Sequence, residues 1–188
     1  MEKTNIVHFF KILYITGAIT LYEGNISVRL GDHFLITPSQ QSKETLSEDM
    51  LVEINAQGEV LCDNGYAPSS EYRMHLALYA LREDISAIVH THSVFATAFA
   101  LKNTPIRSDL AELSMFFGGE VPCCSYGSPG TDGVFSDFER FFVHERRDAV
   151  LLARHGVVAA GANVEEAFAR AQTVEKIAKI TLLSQFVH

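Results

Sequence analysis

The sequence lacks several features that mark particular classes of protein. It has 188 residues, and no run of lysine or arginine accompanies its net charge of −8. This argues against nucleic acid or an anionic membrane surface as a main partner. No apolar run is long enough to span a bilayer, and the first residues do not form a signal-peptide pattern. We therefore expect a cytoplasmic protein, for which a small anionic substrate remains compatible with the acidic balance.

Cysteine is scarce, with Cys62, Cys123 and Cys124 as the only three. Three cysteines cannot all pair, adjacent cysteines rarely bridge, and no CxxC is present, so reduced, buried thiols are expected. Internal repeats, low-complexity segments and linkers are also absent. With 47% hydrophobic and 20% charged residues, the chain is expected to form a single domain over residues 1–188 with a sizeable core.

Hydrophobic periodicity predicts short strands interspersed with helices. The predicted helices cover residues 2–16, 68–83, 94–102 and 134–145, and Asn163 is expected to cap a long final helix. Two hairpins are predicted, over 25–30 with 34–37 and over 51–54 with 59–61. Further strands are predicted at 85–90, 121–126, 149–153 and 157–160, and a glycine-rich loop at 127–133. This pattern indicates an α/β fold with a largely antiparallel sheet covered by helices.

The pair His90 and His92 is the first candidate for chemistry. In a strand, residues i and i+2 project from the same face, so two imidazoles there can hold one metal ion. A catalytic zinc site prefers three protein ligands and an open position. Two histidines are therefore not enough, and an HxH pair can also arise by chance in a chain with eight histidines.

His155 is the best candidate for a third ligand, because it ends an apolar strand and precedes Gly156, which is expected to let the backbone turn sharply. Glu71 opens a helix before the HxH strand and could ligate the metal or move a proton. Its alternative role is to complement the helix dipole. The other histidines are interpreted as solvated or packed in the core: His8, His33, His75, His144 and His188. A supporting role beside the metal ligands is left open for His75, which lies one helical turn after Glu71.

Several short segments could hold an anion. Ser69 and Ser70 lie at a helix N-terminus, where backbone N–H groups and the dipole favour negative charge. Segments 24–27 and 37–40 offer more backbone N–H and hydroxyl donors. Each segment alone is also a common type of turn, so the prediction of a phosphate cradle rests on their combination.

Taken in order, these pieces resemble the class II aldolase/adducin-domain family over residues 5–182. The matching segments are Gly24-Asn25-Ile26-Ser27-Val28, Leu35-Ile36-Thr37-Pro38-Ser39, Pro68-Ser69-Ser70-Glu71, Val89-His90-Thr91-His92-Ser93, Gly118-Gly119 with 121–126, and Arg154-His155-Gly156-Val157. The resemblance implies a three-layer α/β/α fold around a mainly antiparallel sheet, and a homotetramer with the site near a subunit interface. It also implies Zn²⁺, or another divalent metal, bound by three histidines. Glu71 is implied to act as the acid/base, and to ligate the metal when substrate is absent. These histidines are His90, His92 and His155, and the implied phosphate-binding residues are Asn25, Ser39, Ser69 and Ser70.

The resemblance further implies a reaction, namely cleavage of a short (deoxy-)ketose 1-phosphate, of the L-fuculose 1-phosphate type, to dihydroxyacetone phosphate and an aldehyde. Two departures bear on the substrate. The family's fuculose-phosphate aldolases carry a tyrosine before the Gly-Gly pair, where Glu112 stands here as a second acid/base candidate. We also expect the tyrosine-bearing C-terminal tail of those enzymes to be missing here, since no tyrosine follows Tyr126.

Three hypotheses therefore remain. The first is a zinc-dependent aldolase acting on a sugar 1-phosphate. The second keeps the metal but changes the reaction, to a dehydratase of the methylthioribulose 1-phosphate type or a 4-epimerase. The third is a non-catalytic, adducin-like interaction domain, against which the intact histidine set and Glu71 argue.

Overall fold

The computed structural model describes residues 1–128 and 130–187. Pro129, within the predicted glycine-rich loop, and His188 lie outside the described residues. In the described part of the chain the helices are α1 (Glu2–Ile15), α2 (Tyr72–Leu81), α3 (Val94–Leu101), α4 (Ala111–Phe117) and α5 (Val164–Ser184). The strands are β1 (Asn25–Leu30), β2 (His33–Ile36), β3 (Val52–Ile54), β4 (Ala87–Thr91), β5 (Ile106–Arg107), β6 (Glu120–Val121), β7 (Cys123–Cys124), β8 (Ala149–Leu152) and β9 (Gly156–Gly161).

A seven-stranded sheet in the order β3-β2-β1-β4-β9-β8-β7 organises the molecule. Every neighbouring pair in it is antiparallel except β7 with β8, which is parallel. The expected α/β fold with a mainly antiparallel sheet is therefore confirmed. The register sets Asn25 of β1 directly opposite His90 of β4, at the end of the sheet where the site forms.

Each face of the sheet carries its own hydrophobic cluster, because alternate residues of a strand point to opposite sides. On β4, Val89 belongs to the cluster that contains residues of α1, α3 and α5. Its neighbour Ile88 belongs to the cluster with α2 and the aromatic segment Glu139–His144. Residues on both faces of β4 therefore contribute to a cluster, and β4 and β9 are buried along their whole length, with no alternation of buried and exposed positions.

Several predicted elements differ in the structure. The second hairpin is present but shorter than predicted, because residues 59–61 pair with β3 only through the antiparallel bridge between Ile54 and Val60 and a 2.9 Å hydrogen bond from the Leu61 N–H to the Glu53 carbonyl. The predicted strand 121–126 is two short strands on either side of Pro122, which has no N–H to donate to a ladder. The predicted helix 134–145 is a 3₁₀ turn followed by a π-helix, whose Phe141 and Phe142 enter the core.

The cysteines are unpaired, as expected, but only Cys124 is buried, while Cys123 is half-buried and Cys62 is exposed. The expectation of burial is therefore wrong for Cys62, which follows the bridge at Val60 on the surface. No helix in residues 1–128 or 130–187 is long and apolar enough to cross a membrane.

The predicted cap of the last helix is confirmed, since Asn163 Oδ1 accepts a hydrogen bond of 2.9 Å from the Glu166 backbone N–H. Replacing Asn163 by Ala should lower the free energy of unfolding by about 1 kcal/mol, because one N-terminal donor of α5 loses its partner. Urea unfolding measures the loss. Asn163→Asp keeps an accepting oxygen and serves as the control; an equal loss in both variants would contradict the capping explanation.

Candidate functional site

Three histidines converge where β4 ends and β9 begins. His90 is the fourth residue of β4, His92 follows the strand, and His155 precedes β9. The ring centroids of each pair lie 4.8 Å apart. Because β4 and β9 are antiparallel neighbours, the end of one strand meets the start of the other. The structure therefore brings the three predicted metal ligands together.

Glu71 lies at the centre of this group. It is the N-cap of α2 rather than a residue of its first turn, and its side chain makes no capping hydrogen bond. Its carboxylate instead turns to the histidines, with Oε2 3.2 Å from His90 Nε2 and Oε1 3.0 Å from His155 Nε2. The carboxylate is thus directed to the imidazoles, in preference to the dipole role that the sequence left open.

The ring orientation of His90 is fixed from behind. His90 Nδ1 lies 2.8 Å from the Val157 carbonyl, to which it donates, so Nε2 faces the other rings. One donor atom from each of His90, His92, His155 and Glu71 lies within 4.8 Å of the others. Three imidazole nitrogens and a carboxylate oxygen so arranged suit a divalent transition metal. The residues present therefore fit a metal ion.

The electrostatics of the metal-free group follow from burial and mutual charge. Burial opposes ionisation of Glu71, but the positive charge on His90 and hydrogen bonds from His155 and His90 hold the pKa of its carboxyl well below the usual range. Burial, with repulsion from His90 and His155, lowers the pKa of His92 to about 4. Near neutral pH the group thus offers an ionised carboxylate and a neutral His92, which are the forms that bind metal.

A buried chain of hydrogen bonds continues from Glu71 into the core. Asn25 Nδ2 donates to Glu71 Oε2 over 2.8 Å. Asn25 Oδ1 must then accept, so His75 Nε2 is the donor across 2.5 Å. His75 Nδ1 accepts from the Ser27 hydroxyl at 2.6 Å, and Ser27 lies 2.8 Å from the Tyr79 hydroxyl. The chain orients Glu71 through Asn25, and His75 has the supporting role that the sequence left open.

A cavity of about 430 Å³ opens in front of this group. Glu71, His92 and His155 line it. The four residues predicted to bind phosphate also line it: Asn25, Ser39, Ser69 and Ser70. Glu23 and Lys43, for which no sequence motif predicted a role, also line the cavity.

The two serine-bearing segments are joined to each other. The Ser39 backbone N–H donates to the Ala67 carbonyl at 2.9 Å, and the Ser69 N–H donates to the Thr37 carbonyl at 3.0 Å. These hydrogen bonds occupy the Ser39 and Ser69 backbone N–H groups, which were predicted to bind an anion. What Ser39 and Ser69 can still offer to a ligand is their hydroxyl groups.

Two backbone features keep the strand ends close. A Cβ on Gly156 would lie 2.2 Å from the Thr91 carbonyl oxygen, so β9 can approach β4 only with glycine there. The expected sharp turn at Gly156 is not formed by that residue, because the left-handed conformation belongs to Arg154, with φ of 59°. Gly156 therefore allows the close approach of β9 to β4, and Arg154 accounts for the change of chain direction before β9.

Glu112 is not brought to the cavity within one chain. It lies on α4, where its Oε1 accepts from Lys176 Nζ at 2.9 Å, and this hydrogen bond lowers the pKa of its carboxyl. It is not among the described residues that line the cavity. Its predicted acid/base role therefore has no support from the geometry of a single chain.

Comparison with known proteins adds an independent finding. Residues 4–182 match the family described as class II aldolase and adducin N-terminal domain. An L-fuculose phosphate aldolase of Escherichia coli O6:H1 is 37% identical over 159 residues, which are 85% of this chain and 72% of that protein. A 5-deoxy-D-ribulose 1-phosphate aldolase of Bacillus thuringiensis is 35% identical, covering 95% of this chain and 83% of that one. A solved L-fuculose 1-phosphate aldolase structure superposes with a TM-score of 0.91 at 32% identity, covering 100% of this chain and 88% of that chain.

The neutral state of buried His75 predicts a dependence of stability on pH. Burial, with the charge on His90, lowers the pKa of His75 from 6.5 to about 3. Between these pH values the unfolded chain binds one more proton, so the folded state loses stability as the pH falls. In metal-free His75→Gln, the free energy of unfolding should fall less steeply from pH 6 to 4, by up to about 1.4 kcal/mol per pH unit. Equal slopes in urea unfolding of wild type and variant would contradict this.

Proposed function

This chain belongs to the class II aldolase and adducin N-terminal domain family, and from that membership we propose that it is a zinc-dependent aldolase. The proposed substrate is a short ketose or deoxyketose 1-phosphate of the L-fuculose 1-phosphate type, and the products are dihydroxyacetone phosphate and an aldehyde. One observation carries the proposal: Glu71 and three histidines meet at a cavity that also holds the predicted phosphate donors. We further propose the three-layer α/β/α order and a cytoplasmic location.

His90, His92 and His155 would hold the metal, with Glu71 beside them. Zinc is proposed because it favours three nitrogen ligands with an open position for substrate. When bound, the metal supplies Lewis-acid stabilisation of negative charge on the substrate oxygens. The Val157 carbonyl and the hydrogen bonds behind Glu71 keep the ligand atoms of His90 and Glu71 facing the other ligands, which limits reorganisation on binding.

Glu71 is the proposed acid/base. In the cleavage the C4 hydroxyl would give its proton to a second base, for which Glu112 of a neighbouring chain is the proposed candidate, while the C3–C4 bond breaks and its electron pair stays with C3 as an enediolate. A proton then returns to C3 and completes dihydroxyacetone phosphate. Glu71 is suited to this last transfer because its carboxylate borders the cavity and is oriented by Asn25.

The serines of the cavity would bind the phosphate. Ser39, Ser69 and Ser70 contribute hydroxyls to the cavity, and the N-terminus of α2 adds a favourable dipole. Asn25 uses one N–H of its amide for Glu71, so the second N–H remains for the phosphate. Fixing the phosphate positions the neighbouring carbonyl for reaction, which is a large part of what an enzyme contributes.

We also propose a homotetramer, in which Glu112 can reach the site of a neighbouring chain. The supporting observation is that α4 carries the exposed apolar residues Met115 and Phe116 close to Glu112, as an interface requires. An acid/base role for Glu112 depends on such an assembly, because one chain leaves it paired with Lys176.

The name of the Bacillus thuringiensis relative, a 5-deoxy-D-ribulose 1-phosphate aldolase, supports a smaller deoxyketose 1-phosphate as the substrate of this chain.

The second candidate is a different reaction on the same substrate class. A dehydratase or a 4-epimerase would use the same metal and carboxylate. The adducin-like, non-catalytic alternative leaves the buried carboxylate and histidines without a purpose, although they are expensive to bury.

A panel of ketose 1-phosphates, followed by mass detection, distinguishes these reactions. With zinc-loaded protein we expect dihydroxyacetone phosphate and an aldehyde from a deoxyketose 1-phosphate. Loss of 18 mass units without cleavage would indicate the dehydratase, and an unchanged mass with altered stereochemistry would indicate the epimerase. If none of the ketose 1-phosphates is converted, the catalytic proposal is wrong.

Replacing Glu71 by Gln should lower kcat for cleavage by about 10²–10⁴-fold, because the group that moves the proton is lost. The three histidines remain, so zinc content measured by atomic emission should stay near that of wild type. Glu23→Gln changes another carboxylate of the same cavity and is the matched control, expected to lose far less. Comparable kcat values for Glu71→Gln and wild type would remove Glu71 from the mechanism.

Zinc should stabilise the folded protein, because the ligand atoms are assembled only there. At free zinc a hundredfold above Kd, the free energy of unfolding should rise by about 2.7 kcal/mol. His155→Ala should abolish most of this gain, whereas His144→Ala, an exposed histidine on the π-helix, should retain it. Thermal unfolding with and without zinc measures both, and equal gains in the two variants would contradict the ligand assignment.

A further inference from the structure

Lys43 is a buried cation beside the cavity. Its relative exposure is 2%, which is unusual because lysine is almost never fully buried without a partner. It lies in the loop that follows the serine segment 37–40, and it lines the same cavity as Ser39 and Ser69. A charge held here in a low-dielectric setting costs free energy unless an opposite charge is close.

The contacts of Lys43 do not neutralise it. Its Nζ donates to the Gln41 carbonyl at 3.3 Å and lies 4.7 Å from the centre of the Phe10 ring. Within residues 1–128 and 130–187, no carboxylate oxygen forms an ion pair with it. Burial lowers the pKa of Lys43 to about 8, and the charge of Glu23 only partly offsets this. The ammonium therefore has unused capacity for an anionic partner.

The charge balance of the cavity points the same way. Apart from the histidines, its described lining contains the two carboxylates Glu23 and Glu71, and Lys43 is the only lysine or arginine there. A phosphate dianion near two carboxylates would be repelled unless a cation stood at its end of the cavity. The serine hydroxyls donate hydrogen bonds but bring no charge.

We propose that Lys43 supplies the positive charge of the anion site in this cavity and binds the phosphate group of the substrate. The identification of that anion as a sugar phosphate rests on the proposed function; the anion site itself rests on the burial and contacts of Lys43. Lys43 then determines specificity, because it favours a phosphorylated ketose over the free sugar. A charge-assisted bond to phosphate is among the stronger polar contacts in proteins.

Inorganic phosphate is the direct probe, since its binding requires no turnover. Isothermal titration of the zinc-loaded protein should give a Kd that rises by at least about tenfold in Lys43→Met. Lys43→Arg keeps the charge and should change Kd by less than about threefold. Lys179→Met is the matched control, because Lys179 also lies over a phenylalanine ring, 5.3 Å from the centre of Phe95, but on an exposed position of α5.

Kinetics separate binding from a merely structural role. With a cleaved ketose 1-phosphate, Lys43→Met should raise KM by a similar factor and lower kcat by a smaller factor, since Asn25 and the serine hydroxyls would still position the bound phosphate. The variant should fold, because replacing an uncompensated buried charge by an apolar group is commonly neutral or stabilising. Urea unfolding and zinc content check this directly.

Each outcome decides the proposal. A phosphate Kd within twofold of wild type in folded Lys43→Met, or no phosphate binding by wild type, overturns it. A tenfold loss of phosphate binding supports it, even if no ketose phosphate is cleaved. In that case the anion site stands and the aldolase proposal fails, so the two failures are distinguishable.

Discussion

The carboxylate of Glu71 is the contact on which the rest of the site depends. It touches His90 and His155 and accepts from Asn25, so it joins the start of α2 to the ends of three strands. An ionised carboxylate in this position is tolerated only because each oxygen has partners. The apolar clusters on both faces of the sheet fix the strands that carry those partners. The core therefore holds in place the strands whose residues stabilise the Glu71 charge, because no single local segment supplies all of these partners.

The sequence predicted which side chains meet at the site, but it did not predict the hydrogen bonds that connect them. The i, i+2 spacing of His90 and His92 is a local property of a strand, so it could be interpreted from the residues alone. The hydrogen bond between Asn25 and Glu71 joins residues 46 apart, and that between Asn25 and His75 joins residues 50 apart. Such contacts depend on sheet register and helix docking, which periodicity does not encode.

The same division between local and long-range information explains which parts of the fold could be predicted from the sequence. The hairpin of β1 and β2 was predictable because alternation and a Gly-Asp turn lie within a few residues. The split at Pro122 and the π-helix Glu139–His144 depend on what packs against them, since β6 pairs with β5 while β7 pairs with β8. The burial of Lys43 is long-range information of the same kind, because a lysine in a polar loop is typical of a solvated charge, and its burial depends on packing against Phe10.

One cavity combines two kinds of group. His92, His155 and Glu71 line it, and so do Lys43 and the serines Ser39, Ser69 and Ser70. Asn25 connects the two kinds of group, because its amide donates to Glu71 while the residue also lines the cavity. For the proposed aldolase, a substrate whose phosphate sits one carbon from its carbonyl would use both kinds of group at once, whereas a free sugar or inorganic phosphate would use only one. The proposed selectivity for a ketose 1-phosphate follows from this combined use, and the buried hydrogen bonds behind Asn25 hold its amide in place for it.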